Sequence, residues 1–205
     1  MKDYLVYDVE TQIPFEELKN GWDDPFGMKI SSAVVYSSKT DQFYFFGHTE
    51  EERIRLCEML NNQDVVTFNG ISFDSRVVLG NDRLILEHGV TASSDKKYQW
   101  RNIDIYVILW KRILDWKGTV EELLEHLKKN RPPKGVFNLD SILWATLKMK
   151  KNGDGKDAPM LFKTGDFRKL YEYNLQDVRC ERDLYRFIMR YKYLINGQYE
   201  IVEFV

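Results

Sequence analysis

Residues 4–10, YLVYDVE, carry apolar side chains on both alternating faces of an extended chain. A strand with two apolar faces needs cover on both sides, so it belongs at the centre of a sheet with layers above and below it. It also raises a question about Asp8 and Glu10, which lie two residues apart and so on one face. Burying a carboxylate without a cation costs roughly several kcal/mol, so a pair there calls for water, a base or a metal.

The rest of the chain alternates strand and helix signals. KISSAVVYS (29–37) and DQFYFFG (41–47), around SKTD, read as two strands with a tight turn, after a Pro/Gly-rich connection over 14–27. TEEERIRLCEMLNN (49–62) reads as a helix capped by Thr49, with Ile54, Met59 and Leu60 on its apolar side. DVVTF (64–68) returns to strand and SFDSRVVLG (72–80) starts a helix. NIDIYVILW (102–110) begins as strand and runs into helix. Helices follow over 119–130 and 138–150 around the breaker RPPKG, then a loop over 151–159 and a long helix over 166–191. YLINGQYEIV (193–202) reads as a closing hairpin turning on Asn-Gly. Strands mostly early, with helices between and after them, give an α/β class: a mixed β-sheet flanked by helices, in one domain over residues 1–205.

Composition narrows the setting. The net charge of −2 divides into −7 over residues 1–100 and +5 over residues 101–205, which permits a basic face for an acidic polymer. Cys57 and Cys180 are too few for a disulfide framework or zinc cluster and read as free thiols in a reducing compartment. The N-terminus lacks the apolar run of a signal peptide, and the longest apolar stretch, IYVILW (105–110), is too short to span a bilayer. The expectation is a cytoplasmic protein without membrane contact.

Asp74, in FNGISFD, falls after a strand and turn, at the start of a helix, where the strand ends of a parallel sheet open into a crevice. Asp177 and Tyr173, in YNLQD, share one face of the long helix. Singly, each feature has a plainer explanation. The first pair reads as a strand end in solvent, Asp74 as a helix N-terminal charge, and Tyr173 as a half-buried ring beside a solvated acid.

Taken in order, D-x-E on the first strand, Asp after F-N-G-x-x-F, and Y-x-x-x-D on a late helix resemble the DEDD (DnaQ-like) 3′–5′ exonuclease superfamily and its DEDDy branch. NLDSILWATL, GDGKDAP and YNLQDVRCERDLY are similar to exonuclease domains predicted near helicases and family-B polymerases, and the resemblance spans about residues 3–190. It implies a ribonuclease H-like fold and a metal-dependent 3′–5′ exonuclease acting on single-stranded or frayed ends, with DNA placed ahead of RNA although no motif reports on the sugar 2′-position. It also implies two Mg²⁺ or Mn²⁺ ions, about 3.5–4 Å apart in such sites. By that resemblance Asp8 bridges both ions, Glu10 and Asp177 hold the one carrying the attacking water, Asp74 helps hold the other through water, and Tyr173 orients the nucleophile. Thr11 and Asn69 match positions near the terminal nucleotide, and Phe73 is open to base stacking or to a core role. The implied partner is nucleic acid with a free 3′ end, with a polymerase or helicase acting in trans. The alternatives are a non-catalytic nucleic-acid-binding module of the same fold and a ribonuclease H-like endonuclease.

Several features stand outside this set. Asp104 reads as a cap or as support for a ligand rather than a fifth ligand. His48, His88 and His126 share no ligand spacing, and the five tryptophans share no period and are assigned to core and loop anchoring. The segment 148–169, with Lys150 and Lys151, is basic and reads as a solvated loop or phosphate-tracking edge, so the four carboxylates are expected to converge without a basic partner.

Overall fold

The computed structural model describes residues 2–20, 23–86, 89–151 and 157–204. His88, Trp22 and the centre of the basic segment, residues 152–156, lie outside them. β1 (Leu5–Thr11) is the spine of a seven-stranded sheet. It pairs antiparallel with β2 (Ile30–Ser37) and parallel with β4 (Asp64–Thr67). β3 (Gln42–Phe46) closes one edge beside β2. Beyond β4 lies parallel β7 (Gln99–Asp104), followed by antiparallel β6 (Val90–Ala92) and β5 (Leu84–Ile85). The order is therefore β3-β2-β1-β4-β7-β6-β5. β5 and β6 carry no signal in the sequence because strands of two and three residues are too short to show alternation.

The two faces of β1 sort into two cores. Leu5, Tyr7 and Val9 pack with Val35 and Val65 against α1 (Glu50–Leu60) and α2 (Asp74–Leu79). Tyr4 and Val6 face the opposite layer, with Val34, Tyr36 and Val66, against α3 (Ile105–Ile113), α5 (Leu139–Leu147) and α7 (Phe167–Tyr191). α4 (Val120–Lys129) packs on α3 through Leu123 and Leu127, and α6 (Ala158–Thr164) precedes α7. The architecture is α/β, a mixed sheet flanked by helices. No helix among the described residues is long and apolar enough to cross a membrane.

Local chemistry explains most boundaries. Thr49 caps α1 by accepting from the Glu52 amide, and Thr119 with Glu122 forms a capping box on α4. The buried side of α1 is Leu56, Cys57 and Leu60; Met59 packs at its margin, while Ile54 is only half-buried. Both cysteines are buried free thiols. α5 stops at Leu147, where Lys148 turns left-handed at φ 58°, short of the expected end at 150. α6 falls partly in the expected loop, its proline sitting where a first helical turn tolerates it.

The hairpin of β8 (Tyr193–Ile195) and β9 (Ile201–Glu203) is present, but its turn differs from expectation. The connection runs over residues 196–200, and its left-handed residue is Tyr199, at φ 63°, rather than Gly197. Gly197 is there for close approach. A Cβ on it would lie 2.5 Å from the Gly135 carbonyl oxygen, and its amide donates to the Val136 carbonyl at 2.8 Å.

Candidate metal centre and nucleic-acid site

Alternation on β1 points Asp8 and Glu10 to the same side as Val6, toward α7. That helix presents a divided inner face. Its C-terminal turns bury Leu184, Tyr185 and Ile188, whereas over residues 173–181 it buries Tyr173, Asn174, Asp177 and Glu181 among the apolar Val178 and Cys180. Polar groups in such a stripe must find partners, and one of them reaches β1. Asn174 Nδ2 donates to Asp8 Oδ2 at 2.7 Å. Carboxylate oxygens of Asp8, Glu10 and Asp177 all lie within 4.8 Å of one another. Asp74 is not one of this triple. It is buried at the first turn of α2, where its Oδ1 accepts from the Val9 amide at 3.1 Å and so ties α2 to β1 between the two acids.

Crowded, desolvated carboxylates resist ionisation. Burial, then the charges of Asp74, Glu10 and Asp177, push Asp8 well above the usual carboxylate range. Burial and Asp177 do the same to Glu10, and burial lifts Asp74 to about 7. Burial and the Glu10 and Asp177 carboxylates raise the Tyr173 phenol, which therefore stays protonated at any working pH. A set of hard oxygen donors suits a divalent cation such as Mg²⁺ or Mn²⁺. Among the described residues Asp177 Oδ1 and Glu181 Oε2 are buried with no hydrogen-bond partner, which marks acceptor capacity open to a cation. The residues fit a metal centre.

One expectation is overturned. The acids do have a basic partner: Lys151 Nζ lies 2.6 Å from Asp177 Oδ2, with the lysine 19% exposed and the aspartate 3%. The ammonium also stands 5.9 Å from the centre of the Tyr173 ring. Against the effect of burial, Asp177 and Asp8 hold Lys151 strongly protonated. Lys151 is thus a member of the site rather than part of a solvated edge. Nothing in a loop sequence of alternating lysines and small residues distinguishes the one that turns inward.

Two openings flank the cluster. A cavity of about 540 Å³ is bounded by Glu10, Thr11, Phe73 and Tyr173, with Met28 and Pro159 on its apolar side. A second, of about 620 Å³, is bounded by Asn69, Tyr106, Asn138 and Glu181. Asp8 and Lys151 line both and divide them. The three residues expected around a nucleotide are therefore separated: Thr11 and Phe73 line the first cavity, Asn69 the second. Phe73 serves both readings, since it also packs against the core around α1 and α2. Asn69 is left-handed at φ 68°, which places it at a turn. Glu181, 2% exposed, escaped the sequence reading, although Tyr173, Asp177 and Glu181 fall at successive helical turns in YNLQDVRCE.

Asp104 behaves as a cap. Its carboxylate accepts from the amides of Tyr106 and Val107 at the start of α3, and from those of Asn69 and Ile71 in the β4–α2 turn, at 2.8–3.4 Å. Burial still lifts it to about 6 against those four donors. His48 packs against Phe162 and Phe167, and His126 against Trp116, so both are packing residues. Trp100 and Trp110 are core, whereas Trp144 is 43% exposed on α5, with the Lys148 and Lys150 ammonium groups over its ring.

No protein-family model matches this chain, and no curated protein matches it. Among solved structures it is similar to the family B DNA polymerase from the hyperthermophilic archaeon Pyrobaculum calidifontis, at a TM-score of 0.59 and 14% sequence identity. The match covers 91% of this chain but only 24% of the polymerase, so the chain spans about a quarter of that protein's length. At such identity the likeness concerns the fold. The conclusion it carries is a mixed α/β sheet compatible with the ribonuclease H-like fold.

Proposed function

We propose that this chain is a single-domain, metal-dependent 3′–5′ exonuclease that hydrolyses the terminal phosphodiester of single-stranded or frayed nucleic acid. The observation that carries the reading is the meeting of Asp8, Glu10 and Asp177 within 4.8 Å beneath the buried phenol of Tyr173. Similarity of fold to a polymerase agrees with a nucleic-acid substrate. Asp8, Glu10, Asp177 and, from the neighbouring helix start, Asp74 would hold two divalent ions, Mg²⁺ or Mn²⁺. Once bound, these supply Lewis-acid stabilisation of the phosphate and a water acidic enough to attack near neutral pH.

The chain's own residues do the positioning. The cavity bounded by Thr11 and Phe73 takes the terminal nucleoside, with Phe73 offering a ring edge or face to its base and Met28 an apolar wall. Tyr173, held protonated, donates a hydrogen bond to the water rather than removing its proton. The water oxygen bonds to phosphorus and gives up a proton to solvent, the bond to the penultimate 3′-oxygen breaks, and that oxygen takes a proton from solvent as it leaves. Enclosing one end lowers the entropy cost of reaction there and disfavours internal bonds.

A time course on a 5′-labelled oligonucleotide tests the reading. Stepwise shortening from the 3′ side that stops in excess EDTA is expected. Cleavage of a circular single strand at a comparable rate would assign an endonuclease instead. Binding without any hydrolysis would assign the non-catalytic module.

A further inference from the structure

The inner lysine of the site is reached through a surface that neither the fold nor the carboxylates explain. Trp144, on α5, is 43% exposed and Tyr199, at the tip of the β8–β9 hairpin, is 64% exposed. The Lys148 ammonium lies between them, 5.8 Å from the Trp144 ring centre and 5.5 Å from that of Tyr199. Lys150 stands over Trp144 at 5.0 Å. Among the described residues no carboxylate is in ion-pair distance of Lys148 or Lys150; Lys148 Nζ donates to the Ala145 carbonyl at 3.4 Å, and both ammonium charges lie beside aromatic surface. The platform is firmly mounted. Thr146 Oγ1 donates to the Ile195 carbonyl at 3.0 Å and accepts from the Ile195 amide at 2.9 Å, fixing the hairpin to α5. The left-handed turn at Lys148 then sends the chain back toward the carboxylates, and three residues later Lys151 meets Asp177. Three residues of chain span at most about 11 Å, so platform and cluster are near neighbours.

We infer that Trp144 and Tyr199, with Lys148 and Lys150, form a landing surface for single-stranded nucleic acid upstream of the terminal nucleotide. The inference rests on the nuclease reading for its orientation and adds the place where the rest of the strand lies. Exposed rings offer faces on which bases of any sequence stack, and ammonium groups without a carboxylate partner beside them meet the phosphates. Either component alone has other uses: aromatics alone would suit an apolar partner, and lysines alone any acidic one. Their alternation is the feature that matches a polymer of alternating flat bases and charged phosphates. An acidic protein would use the lysines and leave the two rings in water.

The test uses the full chain carrying Asp177→Ala, which keeps the substrate from being consumed, and compares 5′-labelled oligothymidylates of three and twelve nucleotides by fluorescence anisotropy. Trp144→Ala with Tyr199→Ala should weaken the twelve-mer at least about tenfold, as loss of a stacked base does, and change the three-mer less than about twofold. Lys148→Gln with Lys150→Gln should flatten the salt slope by about 1.4, two contacts at about 0.7 each. Trp144→Phe should recover part of the loss, which separates stacking from damage to α5. Equal loss on both lengths, no loss on either, or dependence on the lysines without the rings would overturn the inference. The two readings fail separately. A wild-type chain that never shortens a 3′ end yet binds long strands through Trp144 keeps the platform and removes the exonuclease. One that shortens ends at an undiminished rate and affinity without the two rings does the reverse.

Discussion

Lys151 Nζ sits 2.6 Å from Asp177 Oδ2, beside a cluster in which Asp8, Glu10 and Asp177 crowd together. The lysine occupies ground that a divalent ion must share or take over, so the two cations compete. Lys151→Met should therefore tighten Mn²⁺ binding in calorimetry while lowering the melting temperature of the metal-free chain. Breaking a buried pair by removing one partner costs about 3–5 kcal/mol, and partial exposure of the lysine puts the expectation at the low end. An unchanged melting temperature would show that the contact carries no weight.

The same contact makes the acids unequal. Asp8 faces Asn174 and other acids, so Asp8→Asn removes repulsion and should leave the metal-free fold unchanged or slightly more stable. Asp177→Asn leaves Lys151 without its charge partner and should destabilise it, by about 1–3 kcal/mol. Both should abolish strand shortening and weaken Mn²⁺ binding. Denaturant unfolding of the two variants side by side checks the ordering, and equal stabilities would contradict it.

Tyr173 is a donor that no proton transfer consumes. Tyr173→Phe should lower kcat by about tenfold to a thousandfold, the scale of losing one positioned acid–base group, with Mn²⁺ binding retained. Single-turnover rates beside calorimetric titrations separate the two. Wild-type turnover in the variant would remove the residue from the mechanism.

Stability of the metal-free chain should fall as pH rises. Asp74 and Asp104 are lifted by burial to about 7 and about 6, above their ordinary 3.8. Between those limits the folded chain binds more protons than the unfolded one. Their stabilising contribution is thus fully present below about pH 4 and is lost as pH rises through 6 and 7, by up to about 1.4 kcal/mol per group per pH unit. Asp64 runs the other way: despite burial, Arg101 and Lys2 depress it, so its contribution is lost on acidification. Melting temperature without metal should peak near about pH 5, and saturating Mg²⁺ should flatten the descent toward pH 8. A metal-free chain more stable at pH 8 than at pH 5 would contradict these burial effects.

Much of this was legible in the chain because it depends on period. YLVYDVE dictates a strand covered twice, and the structure divides Leu5, Tyr7 and Val9 from Tyr4 and Val6 between two layers accordingly. The same alternation sends Asp8 and Glu10 to one face, and helical spacing brings Tyr173 and Asp177 to meet them. Position along a loop has no period. Lys151 entering the cluster, Asn69 falling into a different cavity from Thr11, and Trp144 remaining in solvent depend on how separate elements dock, which local spacing does not encode. Gly197 illustrates a different limit: the residue type suggests a turn, whereas its reason is a carbonyl 2.5 Å from where a Cβ would be.

Asp104 gathers amides from two segments more than thirty residues apart, Asn69 and Ile71 on one side and Tyr106 and Val107 on the other. One carboxylate therefore joins two turns, so that loss of its grip would loosen both. Deuterium exchange should find these four amides losing protection together, as one cooperative unit. Because Asn69 and Tyr106 also line the second cavity, exchange at these amides would report on its rim without substrate or metal.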